Sequence, residues 1–141
     1  MVEKVDFELV SPEKLVLSEP AEMIVIPGSE GDFGALPHHA PMITTIRPGV
    51  IDLYDNGKVA KRIFVAGGFA EVNEVRCTVL AEEAIPLGEI TRDFADHRIR
   101  EATVLIEEAD TDHARAAAAR AMVVAEAMRA AIDIGPASKG H

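Results

Sequence analysis

The sequence predicts a mainly β protein of the α+β class, with an N-terminal antiparallel β-sandwich followed by a C-terminal antiparallel two-helix hairpin. Two observations carry this. Up to about Ala84 the apolar residues recur with period two, in short runs rich in Val, Ile, Thr and Phe that are separated by Gly, Pro or Asn, which is the pattern of half-buried strands. Beyond Pro86-Leu87-Gly88 they recur at three- and four-residue steps and β-branched residues thin out, which is the pattern of helices with one buried face. The change of period divides the chain into residues 1–86, the sandwich, and residues 87–141, the hairpin with a short disordered tail.

Each strand has its own warrant. In "KVDFELV" the residues Val5, Phe7 and Leu9 fall on one face and Lys4, Asp6 and Glu8 on the other, as in an antiparallel strand with one wet side. The segments "EMIVI", "PMITTI", "GVIDLY", "KRIFVAGG", "FAEV" and "RCTVLAEE" repeat the pattern, and so many short strands at close spacing imply a sandwich or barrel. Between "VIDLY" and "KVAKRIFV" stands Asp55-Asn56-Gly57. Asn-Gly supplies the positive φ angles of a type I′ hairpin turn.

The helices follow from stripes and stops. Ala95, Ile99, Ala102, Ile106 and Ala109 form one apolar stripe, opposite Asp93, Arg100, Glu101, Glu107 and Glu108. "ADTD" breaks the pattern, Asp110 or Thr111 can cap a second helix, and Gly135-Pro136 stops it after Ile132. That helix is rich in alanine, which favours helix formation but buries little area per residue. The two helices therefore grip each other weakly, so the hairpin either leans on the sandwich or moves.

Bulk properties exclude several classes. The chain has 141 residues and a formal charge of −10, which disfavours nucleic acid because phosphates are repelled. Its N-terminus carries acids where a signal peptide needs a basic start, and no apolar run approaches the ~20 residues of a membrane span. A role at a membrane must then be exercised through an embedded partner. Cys77 is the only cysteine, and its alternating surroundings make it a small buried hydrophobe rather than a reactive thiol.

The stretch "GSEGDFGALPHHAP", Gly28 to Pro41, concentrates chemistry-capable residues. A zinc site on His38 and His39 would need His97 or His113 from the helical half, and adjacent histidines on an extended chain diverge. A triad of Ser29, Asp32 and His39 lacks a nucleophile elbow. There is no GxxxxGK[ST] phosphate loop, and "GSEGDFG" has no βαβ context. Gly28, Gly31 and Gly34 fit a tight turn, and Gly67-Gly68 fit a bulge or a close backbone approach. Glu82-Glu83 reads as a solvated edge.

The strings "IPGSEGDFGALPHHAPMITTIRPGVI", "FVAGGFAEV" and "TVLAEEAI", in this order, resemble the ε subunit of F-type ATP synthases, the subunit called δ in mitochondria. The resemblance runs from about residue 5 to residue 133. It implies a ten-stranded β-sandwich and a helical hairpin without catalytic residues of their own. It also implies a place on the central stalk, bound to the γ subunit and to the ring of c subunits, so that proton-driven rotation is coupled to ATP synthesis. The location implied is the cytoplasmic face of a bacterial inner membrane, held there through the complex. By position, Asp32 matches the family's acidic residue in the c-ring contact and His39 the histidine of its His-Ala-Pro segment.

The family also uses the hairpin in regulating ATP hydrolysis, and some members bind ATP there through an "[I/L]DxxRA" segment. Here that stretch is "ITRDFA", in which Thr91 replaces the acid and Phe94 the arginine. No cofactor is therefore expected, and a nucleotide-sensing module is the alternative reading. Arg98 and Arg120 are the basic residues available to meet the α/β catalytic head.

Overall fold

The computed structural model describes residues 3–135. Ten strands come first: β1 (Val5–Val10), β2 (Leu15–Ala21), β3 (Met23–Gly28), β4 (Gly31–Ala35), β5 (Met42–Ile46), β6 (Gly49–Asp55), β7 (Lys58–Val65), β8 (Gly68–Val72), β9 (Arg76–Ala81) and β10 (Ala84–Pro86). A 3₁₀ turn at Leu87–Glu89 leads into α1 (Arg92–Glu108) and α2 (Asp112–Ile132). The disordered tail expected after α2 lies outside the described residues.

Hydrogen bonding orders the strands β10-β7-β6-β3-β5-β8-β9-β1-β2, with β4 paired to β3. One edge of β3 holds β4, while the other hands over from β6, opposite Met23 to Val25, to β5, opposite Gly28. That handover folds the sheet into two layers. Their inner faces meet in one core built from Val5, Phe7, Leu9, Ile24, Ile26, Ile51, Leu53 and Val79, each 0–1% exposed. The alternation read in "KVDFELV" is thus the alternation of inside and outside.

Three features differ from the sequence expectation. β1 runs antiparallel to β2 but parallel to β9. No hairpin joins β1 to β9, so nothing local forces an antiparallel match. β2 was not legible because its sequence, "LVLSEPA", is half exposed and contains Pro20; it lies at the end of the strand order, where a missing N–H is tolerated. β4, "GDFGA", lies inside the stretch read as a loop, yet it closes a hairpin on β3 from Ile24↔Ala35 to Gly28↔Gly31.

The Asn56-Gly57 turn has the expected left-handed angles, φ 54° and 73°. β7 is buried on both sides. Ile63 and Val65 enter the sandwich core, while Phe64 points the other way into a second cluster with Ala66, Leu87, Ile90, Ala95, Met128 and Ala131. The hairpin therefore lies folded down on the outer face of β6 and β7.

Thr91 Oγ accepts a hydrogen bond from the Phe94 N–H, and Thr111 Oγ one from Ala114, each at 3.0 Å. These caps start the two helices. The expected α1 stripe is only partly buried: Ala95 and Ala102 are enclosed, whereas Ile106 is 46% exposed beside exposed Val104 and Leu105. The far half of the hairpin has only the other helix to bury against, and α2 offers it alanines.

Candidate functional site

At the β3–β4 end, local chemistry ties the loop residues together. Gly28 closes the neck of the hairpin, where a Cβ would lie 2.7 Å from the Gly31 carbonyl oxygen. Arg47 reaches across from the β5–β6 connection, donating to the Gly28 carbonyl and to Asp32 Oδ1, both at 2.5 Å. Asp32 is therefore already in an ion pair, although its side chain is 61% exposed. Ser29 and Thr45 share a hydroxyl hydrogen bond of 2.6 Å.

His39 donates from Nδ1 to the Ala40 carbonyl at 2.6 Å, with its ring 6.5 Å from that of Phe33. His38 adopts φ 69° and pairs through Nε2 with Glu3 at 2.7 Å. No hydrogen bond joins Asp32 to His39 among the described residues. Nor is any group of three or more His, Cys, Asp or Glu there placed to hold a metal ion.

A second surface escaped the sequence reading. On the outward face of β5, β8 and β9, Ile43 is 72%, Phe69 54% and Leu80 53% exposed. Phe69 stands opposite Thr45 on β5 and Leu80 on β9, and it lines three adjoining depressions in the surface. Its neighbours Ala70 and Val72 face the core, so the period-two rule already points Phe69 outward. What the sequence lacks is the register that gathers the three apolar residues into one patch.

At the hairpin, the positions that depart from the nucleotide segment have local duties. Thr91 caps α1, and the Arg98 guanidinium lies 5.8 Å above the Phe94 ring. Glu83, expected on a solvated edge, instead receives two hydrogen bonds of 2.9 Å from Arg98. This pair raises the Arg98 pKa, chiefly through the hydrogen bond to Glu83. Arg98 is thereby occupied, in contrast to its expected availability for a partner. Arg129 pairs with Asp96 at 3.1 Å and Arg92 with Asp133 at 3.9 Å, whereas Arg120 has no ion-pair partner among the described residues.

Arg62 braces the lower end of α2, donating to Asp52 at 3.3 Å and to the Gly135 carbonyl at 3.2 Å. Burial raises the Asp52 pKa despite the opposing pull of Arg62. No helix of the described residues is long and apolar enough to cross a membrane.

Comparison with known proteins agrees with this architecture. A family model described as "ATP synthase, Delta/Epsilon chain, beta-sandwich domain" matches residues 4–87. An ATP synthase epsilon chain of Paramagnetospirillum magneticum is 61% identical over 132 residues, covering 94% of this chain and 99% of that one. One of Rhodospirillum rubrum is 54% identical over 131 residues, covering 93% and 98%.

Among solved structures, a chain of the Euglena gracilis mitochondrial ATP synthase, in a cryo-EM structure of OSCP, F1 and c-ring, superposes with a TM-score of 0.76 at 27% identity, covering 92% of this chain and 81% of that one. A chain of the Tetrahymena thermophila mitochondrial ATP synthase central stalk and c-ring has a TM-score of 0.65 at 16% identity, covering 92% and 96%, and so shares the fold. Matched through its sandwich by the family model and over nearly its whole length by the bacterial relatives, this chain belongs to the delta/epsilon family of ATP synthase chains.

Proposed function

We propose that the chain is a non-catalytic subunit of the central stalk of a proton-translocating F-type ATP synthase, and that it fastens the γ shaft to the c ring so that rotation is coupled to ATP synthesis. The exposed Ile43–Phe69–Leu80 patch carries this reading. A patch of large apolar side chains on an otherwise acidic chain fits a permanent partner better than water, and γ is that partner. The sandwich behind it is close-packed and transmits load without yielding.

The β3–β4 end meets the c ring. Arg47 holds one oxygen of Asp32, which leaves the other to accept from an Arg or Gln donor on a c-subunit loop; such a charge-assisted bond fixes register. His39, tied to its own loop, shapes that contact. The complex sits on the cytoplasmic face of the bacterial inner membrane, where this chain is peripheral. The nucleotide-sensing alternative is not favoured, because Thr91 and Phe94 stand where the nucleotide segment needs an acid and an arginine. The distal hairpin, where Val104, Leu105 and Ile106 are exposed, is the part left to reach the catalytic head and modulate hydrolysis.

The test is replacement of Phe69 by Ser, followed by titration into a complex of α, β and γ lacking this chain. A loss of about tenfold or more in affinity is expected of a central apolar anchor. Unchanged affinity would remove the reading.

A further inference from the structure

Between α2 and the outer face of the sheet runs an open cleft of about 440 Å³. Its floor is Gly67, Gly68 and Phe69, and its far wall is Ala119, Arg120 and Val123. The glycines and alanine keep the walls low, so another chain can come close to both. Phe69 and Val123 are each 54% exposed, which leaves apolar area on both sides of the cleft without a partner. Arg120 on one wall and Glu82 on the other have no side-chain hydrogen bond or ion pair among the described residues.

The occupant's backbone can be deduced from the strand order. β5 lies between β3 and β8, and β8 between β5 and β9, so no free strand edge faces the cleft. A segment docking there cannot add itself as a strand and must satisfy its own backbone groups. A helix does so, presenting apolar side chains at i, i+3 and i+4 to such a groove. The unpaired charges then ask for a carboxylate on that helix opposite Arg120 and a donor opposite Glu82.

We infer that an amphipathic helix of the shaft subunit seats in this cleft and contacts the sandwich and α2 together, so that shaft binding holds the hairpin folded down. The inference rests on the proposal that γ covers the Phe69 patch, because Phe69 belongs both to that patch and to the cleft. A partner lying on the sheet continues into the cleft without a break. Its binding energy is then shared between the two halves of the chain, and swinging α2 away breaks part of the contact.

The test uses the full chain and a complex of α, β and γ lacking it. Val123→Ser and Arg120→Gln, both at exposed positions and checked for unchanged helicity, are expected to weaken binding about tenfold and fivefold. The Arg120 effect is expected to shrink at high salt. In the wild-type complex, amide exchange through residues 119–124 is expected to slow. If Phe69→Ser weakens binding while both α2 variants bind as the wild type, the cleft is not the seat and the inference is overturned, with the proposed function left standing. If all three bind as the wild type, both fail. Self-association of the chain through these residues, unaffected by the shaft, would also overturn the inference.

Discussion

Arg98 of α1 donates two hydrogen bonds of 2.9 Å to the two carboxylate oxygens of Glu83, at the end of the sandwich. The fork-on-fork geometry fixes orientation as well as distance. Both side chains are only a quarter to a third exposed, so water screens the pair less than a surface bridge. Because the seam between α1 and α2 is lined by small residues such as Ala102, Ala118 and Ala125, this tie and the Phe64–Met128 cluster set the hairpin's resting position.

Glu83→Gln keeps the shape and removes the charge. Opening of the hairpin should then become easier by about 1 kcal/mol, at the upper end for exposed ion pairs, with faster amide exchange confined to α1 and α2. A double-mutant cycle with Arg98→Met should return a coupling of the same size. Unaltered exchange in the helices would show that the pair does not hold them.

Gly68 gives a sharper stability test. Its φ is 141°, and a Cβ there would lie 1.9 Å from the Leu80 carbonyl oxygen. Gly68→Ala should therefore cost several kcal/mol, at least about 3, through combined backbone strain and collision with the neighbouring strand. Gly57→Ala is the control, since φ is 73° there and nothing lies within 4 Å; it should cost only ~1 kcal/mol. Comparable urea midpoints for the two variants would contradict the geometry.

Cys77 is fully enclosed, and burial pushes its thiol from 9.0 up to about 12. The folded chain thus retains the thiol proton where the unfolded chain loses it. The contribution to stability is complete below about pH 9 and is lost as pH rises from there towards 12, with a limiting slope of about 1.4 kcal/mol per pH unit. Against a Cys77→Ala reference, wild-type stability should fall between pH 8.5 and 10.5, and native Cys77 should resist thiol reagents until denaturant is added. A pH-independent difference, or prompt labelling of the native protein, would refute this.

How much could be read from the sequence depended on the range of the interaction. β1, the Asn56-Gly57 turn and the Thr111 cap were legible because period two, positive φ and a side-chain cap are decided within a few residues. β4 was not, since Gly31 and Gly34 weaken any strand signal and its partner β3 supplies the order. The Phe69 patch depends on the register that sets Phe69 beside Leu80 and Thr45, which only the assembled sheet fixes. The same holds for Arg47 with Asp32 and Arg98 with Glu83, each pair 15 residues apart and on different elements. Asp32 itself could be placed at the docking end only by resemblance; its arginine partner emerged with the fold.

The central claim is that this chain joins the shaft to the membrane rotor and performs no chemistry of its own. The most direct measurement is affinity capture of the tagged chain from detergent-solubilised membranes, with quantification of everything retained. The account predicts α, β, γ and c subunits in the fixed proportions of one complex, with no substrate turnover by the isolated chain. Recovery of the chain free of those subunits, or turnover by the purified chain alone, would contradict it.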